Sequence, residues 1–318
     1  MAAMGMSLAL VSQKGGVGKT TLSANLAASF ADLRFKTLLV EIDPQGSLIQ
    51  CFGLDRFDVH HGLFGCVKGE IPSGRGIERN LSEGLDLLPA NIWSHEEERA
   101  YQEALAADPD LLRRILDGVR ADYDYLILDC PPALGPLTRA ALTAADRYLV
   151  PVQAETLNLA NLSRLEHLVG EVRAASNPEL SREGYVVTMA DTRTRHANTV
   201  IEYLSREFPR DLKQTIIPRS IRVADDAGRG KPTVLGSARS RAGRAFQALA
   251  EEILSRHSRD RVAGQAAEGP AAEEGSVADE DVTAWNRVLD TTEEADRWDE
   301  TRTGNGRPVP VADSWDLD

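Results

Sequence analysis

The feature that most constrains this chain is a glycine-rich run at residues 13–21, Gln-Lys-Gly-Gly-Val-Gly-Lys-Thr-Thr. An apolar run, Leu8–Val11, precedes it, and a helix-compatible stretch, Leu22–Phe30, follows it. Glycines let a backbone wrap closely around phosphate oxygens, and the N–H groups at the start of the next helix then point toward the anion. A strand, this loop and a helix in that order predict a nucleotide phosphate site, in a variant with Gln13 where the general motif has glycine.

Each position of this loop has an expected task. Lys19 is predicted to neutralise the β- and γ-phosphates, and the hydroxyl of Thr20 to hold Mg²⁺. The variant adds a second lysine, Lys14, at the beginning of the loop. The residues predicted to contact the nucleotide are Gly15, Gly16, Val17, Gly18, Lys19, Thr20 and Thr21.

Two acidic residues follow apolar runs and indicate what chemistry takes place at the nucleotide phosphates. Asp43 ends the run at 38–42 and precedes Pro-Gln-Gly, and Asp129 ends the run at 125–128 and precedes Cys-Pro-Pro. A carboxylate after a hydrophobic strand is the usual second holder of Mg²⁺, so Asp129 is assigned to the metal, directly or through water. Asp43 is then the candidate that orients or deprotonates the attacking water. Capping of the following loop is the alternative for each, and the phosphate loop upstream favours the functional interpretation.

The order of apolar runs indicates an α/β fold. Continuous apolar runs alternate with helical stretches, which is typical of a mainly parallel, twisted sheet with helices on both faces. Ligands of such sheets bind outside the carboxyl ends of the strands. The predicted strands are Leu8–Val11, Thr37–Ile42, Leu85–Leu88, Tyr125–Leu128, Tyr148–Val152, Tyr185–Met189 and Thr215–Ile217. The predicted helices include Ala133–Ala145, Leu159–Ala175, Thr199–Glu207 and Ala242–Arg256.

The net charge of −13 is distributed unevenly along the 318 residues. Residues 262–318 carry 15 acidic and 4 basic residues, whereas residues 190–245 carry 12 basic and 6 acidic ones. Such asymmetry often marks a protein that binds polyanions. We therefore expect a folded domain at 1–257 and an acidic tail at 258–318, which is predicted to be disordered because its composition buries too little apolar surface.

The tail carries three of the four tryptophans, Trp285, Trp298 and Trp315. Apolar residues at helical spacing predict a short amphipathic helix at 281–289 within it. Three interpretations remain open: a segment that binds a basic partner protein, an internal competitor for the polyanion-binding surface, and a solubilising extension.

Cysteine content and hydropathy set the expected compartment. Cys51, Cys66 and Cys130 have neither metal-binding spacing nor the pattern of a disulfide framework, which fits a reducing environment. No run has the length of a membrane span, and no signal-peptide pattern opens the chain. The expected location is the cytoplasm.

Several motifs together resemble one family, the ParA/MinD group of deviant Walker-A (SIMIBI) P-loop NTPases, and within it the ParA/Soj partition proteins. The resemblance runs from about Ser7 to Leu254. Its motifs, besides the loop, are Asp43-Pro44-Gln45-Gly46, Leu128-Asp129-Cys130-Pro131-Pro132, Leu142-Thr143-Ala144-Ala145-Asp146, Val150-Pro151-Val152-Gln153, Ile217-Pro218-Arg219 and Gly230-Lys231-Pro232. Two departures are Glu41, where the family more often has Asp, and Ala224-Asp225-Asp226, where Ser/Glu/Ala is more usual.

The resemblance implies slow, Mg²⁺-dependent ATP hydrolysis by a homodimer that forms when ATP binds. In such a sandwich dimer Lys14 reaches the partner's phosphates, and Pro218 and Arg219 lie near the adenine. Partition proteins bind DNA non-specifically, and Arg193 and Arg222 occupy positions similar to the DNA-contacting arginines of Soj-like proteins. The resemblance thus implies a nucleoid-associated protein that segregates a chromosome or plasmid with a ParB-like partner.

Other members of the group provide the alternatives. A ParA-like ATPase can position a non-DNA cargo or act as an ATP-gated regulator, because the partner protein chooses the cargo. MinD-like proteins end in a basic amphipathic helix that lies on a membrane, whereas this chain ends in Asp and Glu, which anionic lipid repels. An iron-protein-like reductase needs cysteines at the dimer interface, and Cys130 has no suitable partner in the sequence.

Overall fold

The computed structural model describes residues 5–154 and 159–267. Residues 268–318 of the acidic tail, including the helix expected at 281–289, lie outside the described residues, so that helix and the domain boundary stay predictions. Residues 258–267 are described and are helical, so the helix that was predicted to end at Arg256 continues past residue 257. The chain divides into a first unit, which ends at Ala266, and a second unit, which begins at Ala267. The first unit contains all the motifs on which the sequence interpretation depends.

The first unit is built on a seven-stranded sheet with the order β3-β4-β2-β5-β1-β6-β7. Every neighbouring pair is parallel except β3 and β4, which pair antiparallel at one edge. The strands are β1 Met6–Leu10, β2 Thr37–Glu41, β3 Glu78–Ser82, β4 Leu85–Leu88, β5 Tyr125–Asp129, β6 Arg147–Gln153 and β7 Ser181–Thr188. The helices are α1 Lys19–Asp32, α2 Ser47–Cys51, α3 Leu63–Val67, α4 His95–Ala107, α5 Leu111–Arg120, α6 Pro136–Ala144, α7 Leu159–Ala175, α8 Arg195–Glu207, α9 Ile221–Gly228, α10 Thr233–Gly236 and α11 Arg241–Ala267.

Both faces of the sheet are covered, as the continuous apolar strands predict. Because side chains alternate along a strand, one set of strand residues, such as Leu8 and Ile127, packs with Phe30 of α1 and Leu249 of α11. The alternate residues, which point to the opposite face of the sheet, are also buried, because a second layer of helices covers that face. In this layer α6 packs against α4, α5 and α7. These alternate residues include Ala9, Leu38, Val40, Leu126 and Leu128, all with no exposed surface.

The prediction and the structure differ at two strands. The segment Thr215–Ile217 is not a strand: it lies beside β7, where Ile217 donates its N–H to the backbone oxygen of Val187, and the isolated bridges of Tyr185 with Leu212 and of Ala190 with Pro218 lie on either side of it. The edge strand β3 was not predicted, because four of its five residues are polar and none is buried, so it lacks a strand-like apolar pattern. The other six predicted strands are present.

The sheet order brings the functional loops together. Strands β2, β5 and β1 are adjacent and parallel, so their carboxyl ends lie at the same edge of the sheet. The loop at 11–18, the segment at 42–46 and the segment at 130–135 therefore converge there.

Candidate nucleotide-binding site

The glycine loop connects β1 to α1 and is shaped for an anion. Gly16 and Gly18 have φ angles of +74° and +84°, a left-handed conformation that favours glycine. Gly18 is the N-cap of α1, and no side chain caps that helix start. Within the described part of the chain, no hydrogen bond uses the backbone N–H groups of residues 15–20. The loop thus presents a row of open donors at the positive end of a helix.

Lys19 lies beneath this loop and is buried, with 6% of its surface exposed. Its Nζ lies 3.5 Å from the backbone oxygen of Lys14. Burial lowers the pKa of Lys19, and the negative charges of Asp129 and Asp43 act against that lowering. A phosphate group in the loop would add further negative charge beside this ammonium group and favour its protonated form.

Asp129 forms the polar centre of the site. Its two carboxylate oxygens accept hydrogen bonds from the hydroxyls of Thr20, at 2.8 Å, and Ser23, at 2.7 Å. Burial raises the pKa of Asp129 to about 6, and the two hydroxyl hydrogen bonds act against this increase. Since the Thr20 hydroxyl hydrogen points at Asp129, the lone pairs of its oxygen remain available for a cation.

Asp43 lies just beyond β2, half-buried and close enough to Lys19 for their charges to interact. Its carboxylate accepts the N–H of Gln45 at 3.0 Å, so it does cap the following turn, as the alternative interpretation expects. Burial raises its pKa, against the effects of the Gln45 hydrogen bond and the Lys19 charge. Capping and catalysis are compatible here, because the turn leaves the second carboxylate oxygen available.

Glu41 has a different position from Asp43 although it is only two residues away. Its side chain has no exposed surface and accepts the backbone N–H groups of Leu48 at 2.6 Å and Ala90 at 3.1 Å. Burial raises the pKa of Glu41 to about 7, against the effect of these two hydrogen bonds. Glu41 therefore connects the start of α2 to the segment after β4, and its departure from the family pattern concerns a structural position.

Lys14 is directed away from its own phosphate loop. Its Nζ donates to the side-chain oxygen of Gln153 at 3.0 Å. Gln153 ends β6, which lies on the opposite side of β1 from Asp129 and β5. The side chains of Lys14 and Lys19 thus point to different sides of the site.

A cavity of about 380 Å³ opens beside the loop. Pro218 and Arg219 line it, together with Thr21 of α1 and Met189 at the end of β7. Its lining is mostly apolar, as a flat aromatic base requires, and it adjoins Gly18, so a base here can belong to the nucleotide whose phosphates lie in the loop. The remaining lining residues are Val17, Gly18, Leu22, Thr188, Ile217, Ser220, Val223, Ala224, Ala227 and Phe246.

The two arginines predicted to contact DNA lie on neighbouring segments. Arg193 follows β7, and Arg222 is the second residue of α9. The segments that carry them are joined by backbone hydrogen bonds, from Ala190 N to Ile217 O and from Arg219 N to Ala190 O, each 3.1 Å. Both arginine side chains are exposed, and Arg193 forms an ion pair with Asp191.

The described residues contain neither a cluster of metal ligands nor a membrane-spanning helix. Across residues 5–154 and 159–267, no three His, Cys, Asp or Glu side chains are grouped closely enough to hold a metal ion by themselves. Cys130 is fully buried, and burial raises the pKa of its thiol. None of the helices in the described ranges is both long and apolar enough to cross a bilayer.

The donor set fits a magnesium–nucleotide complex. Open loop N–H groups and Lys19 suit phosphate oxygens, and Thr20 with Asp129 supplies the hard oxygen ligands that Mg²⁺ prefers. Sequence reasoning missed Ser23 and did not assign a task to Gln153. Ser23 could have been found from its spacing of one helical turn from Thr20, whereas no local pattern indicates the contact of Gln153 with Lys14.

Comparisons with known proteins agree with this geometry. Residues 5–182 match the family AAA_31, described as an AAA domain. The sporulation initiation inhibitor protein Soj of Bacillus subtilis (strain 168) is 38% identical over 252 residues, covering 79% of this chain and 99% of Soj. The chromosome partitioning protein ParA of Myxococcus xanthus (strain DK1622) is 35% identical over 257 residues, covering 80% of this chain and 90% of that ParA.

Solved structures share the fold. Cobyrinic acid a,c-diamide synthase from Mycobacterium smegmatis, solved with bound ADP and magnesium, has a TM-score of 0.68 at 31% identity, covering 80% of this chain and 96% of that one. The septum site-determining protein MinD from Pyrococcus horikoshii OT3, complexed with Mg-ADP, has a TM-score of 0.64 at 23% identity, covering 79% and 96%. From its loop, its sheet and its relatives together, this chain belongs to the ParA/Soj partition ATPases of the deviant Walker-A P-loop family.

Proposed function

We propose that the protein is a Mg²⁺-dependent ATPase that dimerises when it binds ATP, binds DNA without sequence preference and segregates a chromosome or plasmid with a ParB-like partner. The observation that carries the proposal is the pairing of Thr20 and Asp129 beside a glycine loop with open N–H groups. The names of the Soj and ParA relatives support the partition role.

In this proposal the protein contacts both ends of the ATP molecule, the base and the phosphates. The base occupies the cavity beside Pro218 and Arg219, and the phosphates accept hydrogen bonds from the loop N–H groups and from Lys19. Thr20 would hold Mg²⁺ through its hydroxyl oxygen, and Asp129 would hold it directly or through water. Magnesium, when bound, supplies positive charge beside the β- and γ-phosphates. The ADP and magnesium of the Mycobacterium smegmatis protein support both assignments.

Hydrolysis needs a residue that handles water and one that stabilises the transferring phosphoryl group. Asp43 orients the attacking water or takes its proton, and burial raises its pKa, which makes it a stronger base than an exposed aspartate. Lys14 points away from its own site, so we assign it to the facing site of a second copy, where an added cation stabilises developing charge. This assignment makes hydrolysis depend on dimerisation.

DNA binding is assigned to the surface that carries Arg193 and Arg222. Backbone phosphates require only positive charges on a common face, and such contacts carry no sequence information. The surrounding residues 190–245 carry 12 basic and 6 acidic side chains, which supports this choice. Binding to the nucleoid follows from DNA binding and gives the proposed location.

The test compares DNA binding by the wild type with a double charge reversal, Arg193→Glu with Arg222→Glu. ATP should promote binding of the wild type to duplex DNA of unrelated sequences, and the double variant should lose it while keeping its affinity for ATP. A control variant, Arg99→Glu with Arg114→Glu, changes the net charge equally on α4 and α5 and should bind DNA as the wild type does. DNA binding by the double variant at the wild-type level would contradict the assignment.

The same measurement addresses the alternatives. A positioning ATPase for a non-DNA cargo, or an ATP-gated regulator, keeps ATP hydrolysis. If its cargo or target is recruited without the nucleoid, it has no need of ATP-dependent DNA binding. ATP hydrolysis without DNA binding would therefore favour these alternatives over partition.

A further inference from the structure

The turn that follows β7 holds Arg193 in an unusually complete set of hydrogen bonds. Oδ1 of Asp191 accepts the backbone N–H of Arg193 at 3.1 Å and its Nε–H at 2.9 Å. Oδ2 of Asp191 accepts from Nη2 of Arg193 at 2.7 Å. One edge of the guanidinium group is therefore bound to the carboxylate in a two-point arrangement, whereas the Nη1 edge points away from it.

The turn itself is anchored to the protein on both sides. Ala190 exchanges backbone hydrogen bonds with Ile217 and Arg219. The backbone oxygen of Asp191 accepts from the N–H of Thr194 at 3.0 Å and from its hydroxyl at 2.9 Å. The carboxylate that binds Arg193 thus extends from a fixed backbone.

The pair is nevertheless accessible to a large ligand. The Arg193 side chain is 88% exposed and that of Asp191 is 31% exposed. Hydrogen bonds from Arg193, and to a lesser degree the charge of Arg241, lower the pKa of Asp191 to about 2. Asp191 is therefore ionised at all physiological pH values, and the arrangement does not depend on pH.

We propose that Asp191 is a positioning residue for DNA binding: it orders the Arg193 side chain so that the Nη1 edge is presented to a backbone phosphate of DNA. This inference rests on the DNA binding proposed above. A carboxylate on a DNA-binding face has two opposing effects. The carboxylate repels phosphate. By ordering the arginine in advance, it also lowers the conformational-entropy cost that an exposed arginine side chain otherwise adds when DNA binds.

Magnitudes decide between these effects. Ordering a free arginine side chain costs up to roughly thirtyfold in affinity, because its rotamer entropy is large. A like charge about 6 Å away, in water and at moderate salt, costs only roughly twofold. Ordering therefore outweighs repulsion, and Asp191 strengthens DNA binding although its charge has the same sign as that of DNA.

The test is Asp191→Ala, measured as the dissociation constant for duplex DNA in the presence of ATP. The variant should bind DNA roughly five- to tenfold more weakly than the wild type, although it is more positive by one charge. For this variant, the slope of log K for DNA binding against the logarithm of the salt concentration should be less steep by up to about 0.9, as expected for one lost phosphate contact. The backbone oxygen that holds Thr194 persists in alanine, so the start of α8 is preserved.

Three comparisons separate positioning from simple electrostatics or misfolding. Asp225→Ala removes the same charge from an exposed position on α9 and should bind DNA as tightly as the wild type or more tightly. Asp191→Asn keeps an acceptor oxygen and should recover part of the lost affinity. In an Arg193→Gln background, Asp191→Ala should no longer weaken binding. Unchanged ATP affinity in each variant shows that the fold is retained.

Two outcomes would overturn the proposal, and they are distinguishable. If the wild type binds DNA and Asp191→Ala binds it equally or more tightly, Asp191 does not position Arg193, while the DNA-binding function stands. If the wild type binds ATP but does not bind DNA, the proposed function itself fails, and the role of Asp191 fails with it.

Discussion

The Nζ atom of Lys14 lies 3.0 Å from the side-chain oxygen of Gln153, on the opposite side of β1 from Asp129 and Asp43. The two lysines of the phosphate loop are therefore not equivalent. The charge of Lys19 interacts with those of Asp129 and Asp43, whereas Lys14 contacts the end of β6. Substitution of each lysine should accordingly affect a different step.

Lys14→Ala should leave nucleotide binding by the isolated protomer intact and reduce ATP turnover by about 10²–10³-fold, the usual cost of losing one group that stabilises the transition state. Lys19→Ala should instead weaken nucleotide binding itself, because it removes the buried charge beneath the loop. Titration with a fluorescent ATP analogue and a phosphate-release assay measure the two quantities. Loss of ATP binding in Lys14→Ala would contradict the division of roles.

Asp43→Asn should bind ATP normally and lose turnover by about 10²–10⁴-fold, the range expected when a general base is removed. Asparagine retains an oxygen that can accept the Gln45 N–H, so the turn after β2 is preserved. Asp43→Ala removes both functions and serves as the comparison for stability. Wild-type turnover in the asparagine variant would show that Asp43 only caps the turn.

The stability of the protein should fall as the pH rises from about 5 to 8. The pKa of Glu41 is raised from 4.5 to about 7, so the folded state holds a proton that the unfolded state releases in this range. The raised pKa corresponds to a loss of roughly 3 kcal/mol in the free energy of unfolding once the pH exceeds about 7. The raised pKa of Asp129, about 6, contributes with the same sign.

Glu41→Gln isolates this effect. The amide cannot ionise, so the pH dependence of the free energy of unfolding should become weaker. The variant should be less stable than the wild type near pH 5.5, because one of the two N–H groups loses its acceptor. Its relative stability should improve by pH 8. Denaturant unfolding at both pH values measures this, and an equal pH dependence in the two proteins would contradict the role of Glu41.

Glu183→Ala should lower the free energy of unfolding by about 3–5 kcal/mol, because it leaves buried partners without their carboxylate. Glu183 has no exposed surface, forms a buried ion pair with Lys213, and lies 2.8 Å from Nε2 of His257 in α11. Burial acts to raise the pKa of Glu183, but the contacts with His257 and Lys213 outweigh it, and the pKa is lowered. Thermal unfolding measures the loss, and Glu183→Gln should lose less because it keeps the volume and an acceptor oxygen.

Sequence reasoning anticipated how the candidate site is arranged where that arrangement depends on local pattern. The loop and α1 follow from glycine spacing, and Asp129 follows from the rule that strand-end carboxylates face the ligand edge of a parallel sheet. Thr20 and Asp129 are separated by 109 positions, yet their pairing was foreseeable, because Asp129 ends β5 and the loop that follows the adjacent strand β1 leads to Thr20 at the start of α1. The misassigned segment at 215–217 shows the limit: an apolar run records burial, not the hydrogen bonds that define a strand.

The sequence by itself determined the family, the α/β class and the position of the candidate phosphate loop, because these depend on residues adjacent in the chain. Only the tertiary structure decided that Lys14 contacts Gln153, 139 positions away, that Glu41 connects two backbone segments, and that the wall of the cavity comes from α9 and the end of β7. Such contacts depend on strand order and loop conformation. Apolar periodicity does not encode either, because it specifies which face of an element is buried and not which other element covers it.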